Sequence, residues 1–226
     1  MFVFLDTETT GKETEDRLCQ LAYKTEDGTP VNELFNPGRP ISVEAMSINH
    51  ITNEMVKDKP SFKGTETWQE LQELLRYENN ILVAHNAQFD VEMLKKEDIA
   101  PQKFICTLKL ARYLDKDGVI PLFNLQYLRY YLGLNVEAQP HSAIGDIMVL
   151  EALFQRIHAK AVDEFGDETT KKMVEISKSP VLIRRMPFGK HKGQKMDKVP
   201  RDYLEWLLTT DLDEDLEYSV KHYQGL

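Results

Sequence analysis

Short apolar runs along the chain predict buried β-strands. The first run is Phe2–Leu5, and Ile81–Ala84 and Phe104–Cys106 have the same character. Two further runs, Leu18–Lys24 and Val31–Phe35, flank an Asp-Gly turn signal and predict an antiparallel hairpin. The chain is therefore expected to begin with a strand meander and to continue with separate buried strands.

Apolar residues at helical spacing follow most of these strands. Trp68, Leu71, Leu74 and Leu75 form one stripe, which predicts an amphipathic helix over 65–76. Further helices are predicted over 87–96, 108–114, 125–132, 141–158 and 163–177, with short helical pieces between 41 and 56. Strands that alternate with helices after an opening meander indicate an α/β fold, with a mixed β-sheet flanked by helices.

The composition is typical of a globular protein that stays in water. The 226 residues are 42% hydrophobic and 29% charged, and no apolar run approaches the roughly 20 residues of a membrane span. The apolar start lacks a basic region and meets Asp6 early, so it does not indicate a secretory signal. Cys19 and Cys106 form no disulfide framework and are expected to be buried. We expect a cytoplasmic protein without a membrane partner.

Positive charge is concentrated near the C-terminal end, although the net charge is −9. The segment 171–201 holds ten basic residues and two acidic ones, Glu175 and Asp197. An acidic body with a basic appendage could bind metal in the first part and a phosphate backbone in the second. A solvated basic face without a partner is the alternative interpretation.

Two carboxylates lie at the end of the first strand. Side chains two positions apart on a strand point the same way, so Asp6 and Glu8 would face one spot. Close carboxylates repel unless a cation lies between them, and a hard divalent cation with oxygen ligands is the usual solution. A strand that ends in solvated acids is the alternative for this pair taken alone.

Two later segments bring further polar residues to similar positions. The sequence His85-Asn86 follows a predicted strand, and Asp90 then falls in the first turns of a helix. His141 and Asp146 are five residues apart, which on one continuous helix would set them about 140° apart. They can face a common site if His141 lies just before the helix. For this pair alone, a surface histidine followed by an exposed aspartate is the alternative.

The motifs DTETTG, HNAQFD and HSAIGD, in this order, resemble those of the DEDDh exonucleases. The resemblance covers residues 1 to about 158 and implies a ribonuclease H-like fold. It implies stepwise 3′ to 5′ removal of nucleoside monophosphates, with Asp6, Glu8, Asp90 and Asp146 as metal ligands and His141 as the base.

The chemistry of phosphodiester hydrolysis explains these residue types. Two divalent ions about 3.5 to 4 Å apart can stabilise the attacking and the leaving oxygen of an in-line displacement. Several carboxylates are needed to hold them, and oxygen ligands favour two Mg²⁺, or Mn²⁺, over zinc. A histidine such as His141 suits proton transfer because its unperturbed pKa is near neutrality.

Further positions are expected to contact substrate. Thr7, Thr9 and Gly11 could let the backbone approach the terminal nucleotide, and His50 and Asn86 match family segments near the substrate. Structural roles are the alternative for Asn86. The chain departs from many relatives at Lys12, which replaces an apolar residue, and at Ile147, which replaces alanine.

The C-terminal sequence predicts a small, basic α+β module. An FGKxKG loop, Phe188–Gly193, precedes a helix that contains Tyr203 and Trp206, and the pattern resembles a module of one branch of the superfamily. We predict an exonuclease domain over 1–160, a connecting helix over 161–180 and the module over 181–226. The loop could cradle a phosphate, or it could be a turn with solvated lysines over a small core centred on Trp206.

The expected activity is metal-dependent removal of nucleotides from DNA 3′ ends, with single strands as the main substrate and DNA repair as the setting. An exoribonuclease, a polymerase proofreading subunit or a non-catalytic nucleic-acid-binding protein are the alternatives. A ribonuclease would recognise the 2′-hydroxyl, and no residue indicates such a contact. Relatives are often dimers, so a homodimer is expected by analogy.

Overall fold

The computed structural model describes residues 1–136 and 143–226. In this part of the chain, five strands form one sheet in the order β3-β2-β1-β4-β5. They are β1 (Phe2–Thr9), β2 (Leu18–Thr25), β3 (Val31–Leu34), β4 (Ile81–Ala84) and β5 (Phe104–Cys106). The first three strands pair antiparallel, and β4 runs parallel to both β1 and β5. The mixed sheet flanked by helices that the sequence predicts is confirmed.

Helices connect and cover the strands. Two short helices, α1 (Val43–Asn49) and α2 (Asn53–Val56), come before α3 (Glu66–Arg76). The others that belong with the sheet are α4 (Ala87–Lys96), α5 (Thr107–Leu114), α6 (Leu125–Tyr131), α7 (Ala143–Phe165) and α8 (Thr169–Ser177). The two C-terminal helices are α9 (Arg201–Leu207) and α10 (Glu214–Gln224).

Alternate residues of β1 enter two different cores. Val3 and Leu5 pack with residues of α3 and α4, including Leu71 and Leu94. Phe4 packs on the opposite face of the sheet, in a core that α5, α6, α7 and α8 supply. The first strand thus lies in the middle of a three-layered structure, and each of its faces is covered by a different set of helices.

Three boundaries differ from the sequence prediction. Strand β1 continues beyond the apolar run, because its backbone still pairs with β2 at Glu8. Helix α7 runs on to Phe165, since the apolar spacing continues through the buried Ala161. The next helix therefore starts at Thr169, after a turn in which Gly166 has a φ of +56°.

The C-terminal residues have a core of their own. Its buried members are Ile183, Met186, Met196, Val199, Leu204, Leu207, Leu216 and Val220. One isolated antiparallel bridge joins Arg185 and Lys195, and α9 and α10 supply the regular structure. The alternative that places Trp206 at the centre of this core is wrong, because that side chain is 53% exposed.

A buried carboxylate joins the C-terminal residues to the sheet-bearing part. Asp215, at the start of α10, accepts a hydrogen bond from Arg112 Nη1 at 2.6 Å and lies 3.2 Å from Lys109 Nζ. Its other partner is the backbone N–H of Val181, at 3.0 Å.

Cys106 and Cys19 are both buried free thiols, as predicted. No helix in the described ranges is long and apolar enough to span a membrane.

Candidate active site

The C-terminal half of β1 directs its side chains to both faces of the sheet. Phe4 packs beneath α7, so Asp6 and Glu8 project from the same face as that helix. Thr7 points the other way, towards α4. The strand therefore places two carboxylates on one face and a buried hydroxyl on the other.

Asp90 reaches the same strand from α4. The helix begins after Asn86, whose φ of +68° turns the chain sharply out of β4. Asp90 is 4% exposed, and its Oδ1 accepts hydrogen bonds from Thr7 N at 3.1 Å and Thr7 Oγ1 at 2.7 Å. Because Asp90 lies in the first turn, the positive end of the helix dipole also favours its charge.

Asp146 comes from the opposite side, in the first turn of α7. The side-chain amide of Gln126, on α6, donates a hydrogen bond to Asp146 Oδ1. Three elements, β1, α4 and α7, thus supply the carboxylates that the sequence assigns to one site, and α6 orients one of them.

The electrostatics show that these carboxylates share one small region. Burial raises the pKa of Asp6 well above its usual range, and the charges of Asp90, Glu8 and Asp146 raise it further. Burial also raises the pKa of Glu8 to about 7; the Asp146 charge adds to this, and a hydrogen bond from Asn49 opposes it.

The pKa of Asp90 is raised to about 7 as well. Burial is the main cause; the hydrogen bonds from Thr7 favour the charged form, and the charge of Glu8 disfavours it. Without a cation, this end of the sheet therefore holds more negative charge than it can stabilise. The donor set suits a hard divalent cation, because all four side chains offer carboxylate oxygens. Among the described residues, no three such side chains are already gathered as a complete metal site.

The other predicted site residues lie in different settings. His141 lies outside the described residues. His50 ends α1 with a φ of +59° and is exposed, and Asn86 is exposed at the start of α4. Thr9 Oγ1 donates to Gly11 O at 2.6 Å. A Cβ at Gly11 would lie 2.3 Å from Asp16 Oδ2, so this loop requires glycine.

Two residues that position the carboxylates were not singled out in the sequence. Asn49 is buried; its Nδ2 donates to Thr9 O at 3.2 Å, and its side chain also bonds Glu8. Gln126 holds Asp146. Neither position stands out in the sequence, because each short helix also holds other polar residues, such as Ser47 in α1 and Arg129 in α6.

His85 has a structural role. Its Nε2 faces Phe123 O at 2.7 Å, so that nitrogen carries the proton, and Nδ1 lies 2.9 Å from Thr107 Oγ1. Burial lowers its pKa to about 4. The ring therefore stays neutral and joins the end of β4 to α5 and to the loop before α6.

Comparisons with known proteins agree with this geometry. A family model described as an exonuclease matches residues 3–154. A second model, named for a quorum-sensing-regulated virulence factor, matches residues 177–213. Exodeoxyribonuclease 10 of Escherichia coli (strain K12) is 33% identical, over 99% of this chain and 98% of that protein. DNA polymerase III subunit epsilon of Treponema pallidum is also 33% identical, over 77% of this chain and 87% of that protein.

Solved structures share the fold. Exonuclease X in complex with 5′ overhanging duplex DNA has a TM-score of 0.61 and 31% identity, and the match covers 78% of this chain and 99% of that one. A zinc-bound complex of E. coli exonuclease I with single-stranded DNA has a TM-score of 0.58 at 20% identity, over 76% of this chain and 42% of that one. Together with the carboxylate geometry, these matches show that the chain is an enzyme of the DEDDh 3′–5′ exonuclease superfamily.

Proposed function

We propose that this exonuclease hydrolyses DNA from its 3′ end and releases nucleoside 5′-monophosphates with the help of two divalent metal ions. The observation that carries the proposal is the convergence of Asp6, Glu8, Asp90 and Asp146 on one region. The similarity to an exodeoxyribonuclease along nearly the whole chain supports DNA as the substrate. We also propose DNA repair as its setting and the cytoplasm as its location.

The four carboxylates would hold the metal ions through their oxygens, with Mg²⁺ preferred and Mn²⁺ able to replace it. Divalent cations bound there stabilise negative charge on the attacking and leaving oxygens of the phosphodiester. Asp90 is held for this task by the two donors of Thr7, and Asp146 is held by Gln126. The buried setting strengthens each of these interactions, because water cannot screen them.

We assign the general base to His141, which would take a proton from the attacking water. The backbone around Thr9 and Gly11, together with His50 and Asn86, is proposed to receive the terminal nucleotide. Asn86 and His50 are both exposed, as a substrate contact requires. We also propose that the chain divides into an exonuclease domain (1–160), a connecting segment (161–180) and a C-terminal module (181–226).

A proofreading subunit of a polymerase is the second candidate, because a polymerase III epsilon subunit is 33% identical over 77% of the chain. The first candidate is favoured because the match to exodeoxyribonuclease 10 covers 99% of this chain and 98% of that protein. Activity of the purified chain without a polymerase would support the first candidate.

The test is digestion of single-stranded DNA that carries a label at either its 3′ or its 5′ end, with Mg²⁺ or with EDTA. The proposal expects immediate release of the 3′ label in Mg²⁺ only. Asp6→Asn should lower the rate more than about 100-fold, because one charged metal ligand is lost. Asp27→Asn, in the exposed turn between β2 and β3, is the matched control and should keep full activity.

Full activity of Asp6→Asn, or equal rates in EDTA, would contradict the mechanism. A matched RNA strand tests the substrate: faster release from RNA than from DNA would overturn the assignment to DNA.

A further inference from the structure

The C-terminal module exposes aromatic and basic residues on α9 and on the loop before it, and we call this set the aromatic–lysine face. Tyr203, Trp206 and Lys190 lie together, and Phe188, Lys192 and Lys195 are exposed residues of the adjoining segment. Trp206 is 53% exposed and Phe188 is 45% exposed. The rings of Tyr203 and Trp206 lie 5.3 Å apart, and Lys190 Nζ lies 5.6 Å from the Tyr203 ring. The loop passes close to the same ring, since a Cβ at Gly189 would lie 2.5 Å from the Tyr203 hydroxyl.

The exposed rings are not needed for the core of the module. On α9, Leu204 and Leu207 are 3% and 1% exposed and face the apolar cluster with α10. Trp206 turns away from that cluster. Large aromatic side chains left in water next to positive charge are typical of surfaces on which nucleic-acid bases stack.

The lysines of this face are available for a partner. Lys190, Lys192 and Lys195 are exposed, and within the described residues none of them lies within ion-pair distance of a carboxylate. Three other lysines of the basic segment are already paired: Lys171 with Glu168, Lys172 with Glu175, and Lys198 with Asp197. The positive charge of the loop is therefore free to bind phosphate groups.

The acidic residues on α9 already have bonding partners within the module. On α9, Glu205 lies 3.4 Å from Arg201 Nε, and Asp202 Oδ1 accepts the N–H of Tyr203 at 2.9 Å. These contacts reduce the repulsion that a phosphate backbone would meet.

A cleft of about 560 Å³ lies between the sheet-bearing part of the chain and the C-terminal module. Asn86 and Asn124 line it on the exonuclease side, and Arg185 and Pro187 line it on the module side. Asn86 opens the helix that carries Asp90, and Pro187 directly precedes Phe188. Three carboxylates line the cleft: Glu214 and Asp215 are paired with Lys109 and Arg112, and Asp213 accepts a hydrogen bond from the N–H of Leu216.

We propose that the aromatic–lysine face binds the unpaired part of the substrate strand, several nucleotides away from the 3′ end that occupies the catalytic carboxylates. The inference rests on the proposed function, since it takes the strand to be the substrate of that site. Bases stack on Trp206 and Phe188, and the lysines contact phosphates. Because every base has a π-face, such binding is tolerant of sequence.

The first measurement follows Trp206 directly. The chain has two tryptophans, and Trp68→Phe leaves Trp206 as the sole one. In EDTA, which prevents cleavage, a 20-nucleotide oligo(dT) is expected to quench this fluorescence in a saturable way. Binding of a fluorescein-labelled oligo(dT), seen as a rise in anisotropy without any quenching, would overturn the proposal.

The second measurement compares substrate lengths. Trp206→Ala is expected to raise KM about tenfold for a 20-nucleotide strand, in keeping with the loss of one stacked base. The proposal places the face several nucleotides from the 3′ end, so KM for a trinucleotide should stay unchanged, and so should kcat for both. Equal effects on both lengths, or none, would contradict the inference.

The third measurement tests whether the lysines of the face contact phosphates. It uses a variant that combines Lys190→Gln, Lys192→Gln and Lys195→Gln. The matched control, Lys171→Gln, Lys172→Gln and Lys221→Gln, removes the same charge from lysines that are already paired with glutamates. The slope of log K against log salt for oligo(dT) should fall by about 2 in the first variant only. Equal slopes in both variants would overturn the lysine contacts and leave a surface that suits a protein partner.

The two proposals fail in different ways. If the wild type degrades neither substrate length in Mg²⁺, the proposed function fails. If the wild type degrades both and the face variants behave like it, only the present inference fails.

Discussion

At the scale of single residues, the proposed metal site implies that protons and cations would compete for the same carboxylates. Burial and mutual repulsion raise the pKa of Glu8 and of Asp90 to about 7. Near neutral pH each group can therefore be neutralised either by a proton or by a bound cation. Metal binding is expected to release protons at pH 6 to 7 and to strengthen as the pH rises through this range.

The folding stability of the metal-free protein should depend on pH through Glu8. The folded state keeps the Glu8 proton up to about pH 7, whereas the unfolded chain loses it near the ordinary pKa of 4.5. The contribution of the protonated Glu8 carboxyl to the free energy of unfolding is therefore fully present below about pH 4.5, and it is lost as the pH rises through 7. Glu8→Gln, which cannot ionise, should unfold less readily than the wild type at pH 8, by about 1–2 kcal/mol.

Urea unfolding in EDTA at pH 5 and pH 8 measures this effect. The exposed Glu15 provides the control, and Glu15→Gln should follow the wild type at both pH values. Identical pH dependence in Glu8→Gln and the wild type would show that Glu8 is ionised throughout.

At the scale of elements, helix α5 connects the C-terminal module with the active-site region. Its first residue, Thr107, contacts His85 at the end of β4, and its Arg112 pairs with Asp215 of α10. Because Asp215 is 3% exposed and bonds three groups, its removal would leave the Arg112 charge buried without a partner.

Asp215→Asn is therefore expected to lower the free energy of unfolding by about 3–5 kcal/mol. Glu214→Gln is the matched control: Glu214 pairs with the same Lys109 at 3.0 Å, but its side chain is 62% exposed. That change should cost less than about 1 kcal/mol. Equal losses in the two variants, measured by urea unfolding, would contradict the assigned role of burial.

The sequence predicts elements better than their side-chain partners. The three buried strands and the α4 boundaries follow from apolar runs and polar ends, and the order of the motifs indicates which acids belong together. The longer α7 follows from an apolar spacing that continues past residue 158. Gln126 and Asn49 could not be assigned, because their roles arise from contacts between elements far apart in the chain. The exposure of Trp206 depends on which face of α9 meets α10.

At the scale of the whole molecule, we propose that the acidic body binds the metal ions and that the basic module binds the phosphate backbone. The net charge is −9, while the segment 171–201 carries ten basic residues against two acidic ones. Without cations, the clustered carboxylates repel a phosphate backbone. Divalent ions should therefore favour substrate binding as well as hydrolysis.

Divalent cations should also stabilise the whole fold. At 100 times its dissociation constant, a ligand that binds only the folded state adds about 2.7 kcal/mol, which for a chain of this size raises Tm by about 5–10 °C. Scanning calorimetry in Mg²⁺ and in EDTA would measure the shift. Asp6→Asn should abolish most of it, and an unchanged shift in that variant would place the bound cation elsewhere.

The central position of β1 also affects how the chain can fold while it is being synthesised. Asp6 and Glu8 leave the ribosome first, yet the helix that carries Asp146 begins only at Ala143. At roughly 5–20 residues per second, the strand waits about 7–28 s for this helix. During that time the apolar residues on one face of β1 are not yet covered by α7. We therefore expect the nascent chain to be open to chaperone binding until Asp146 emerges.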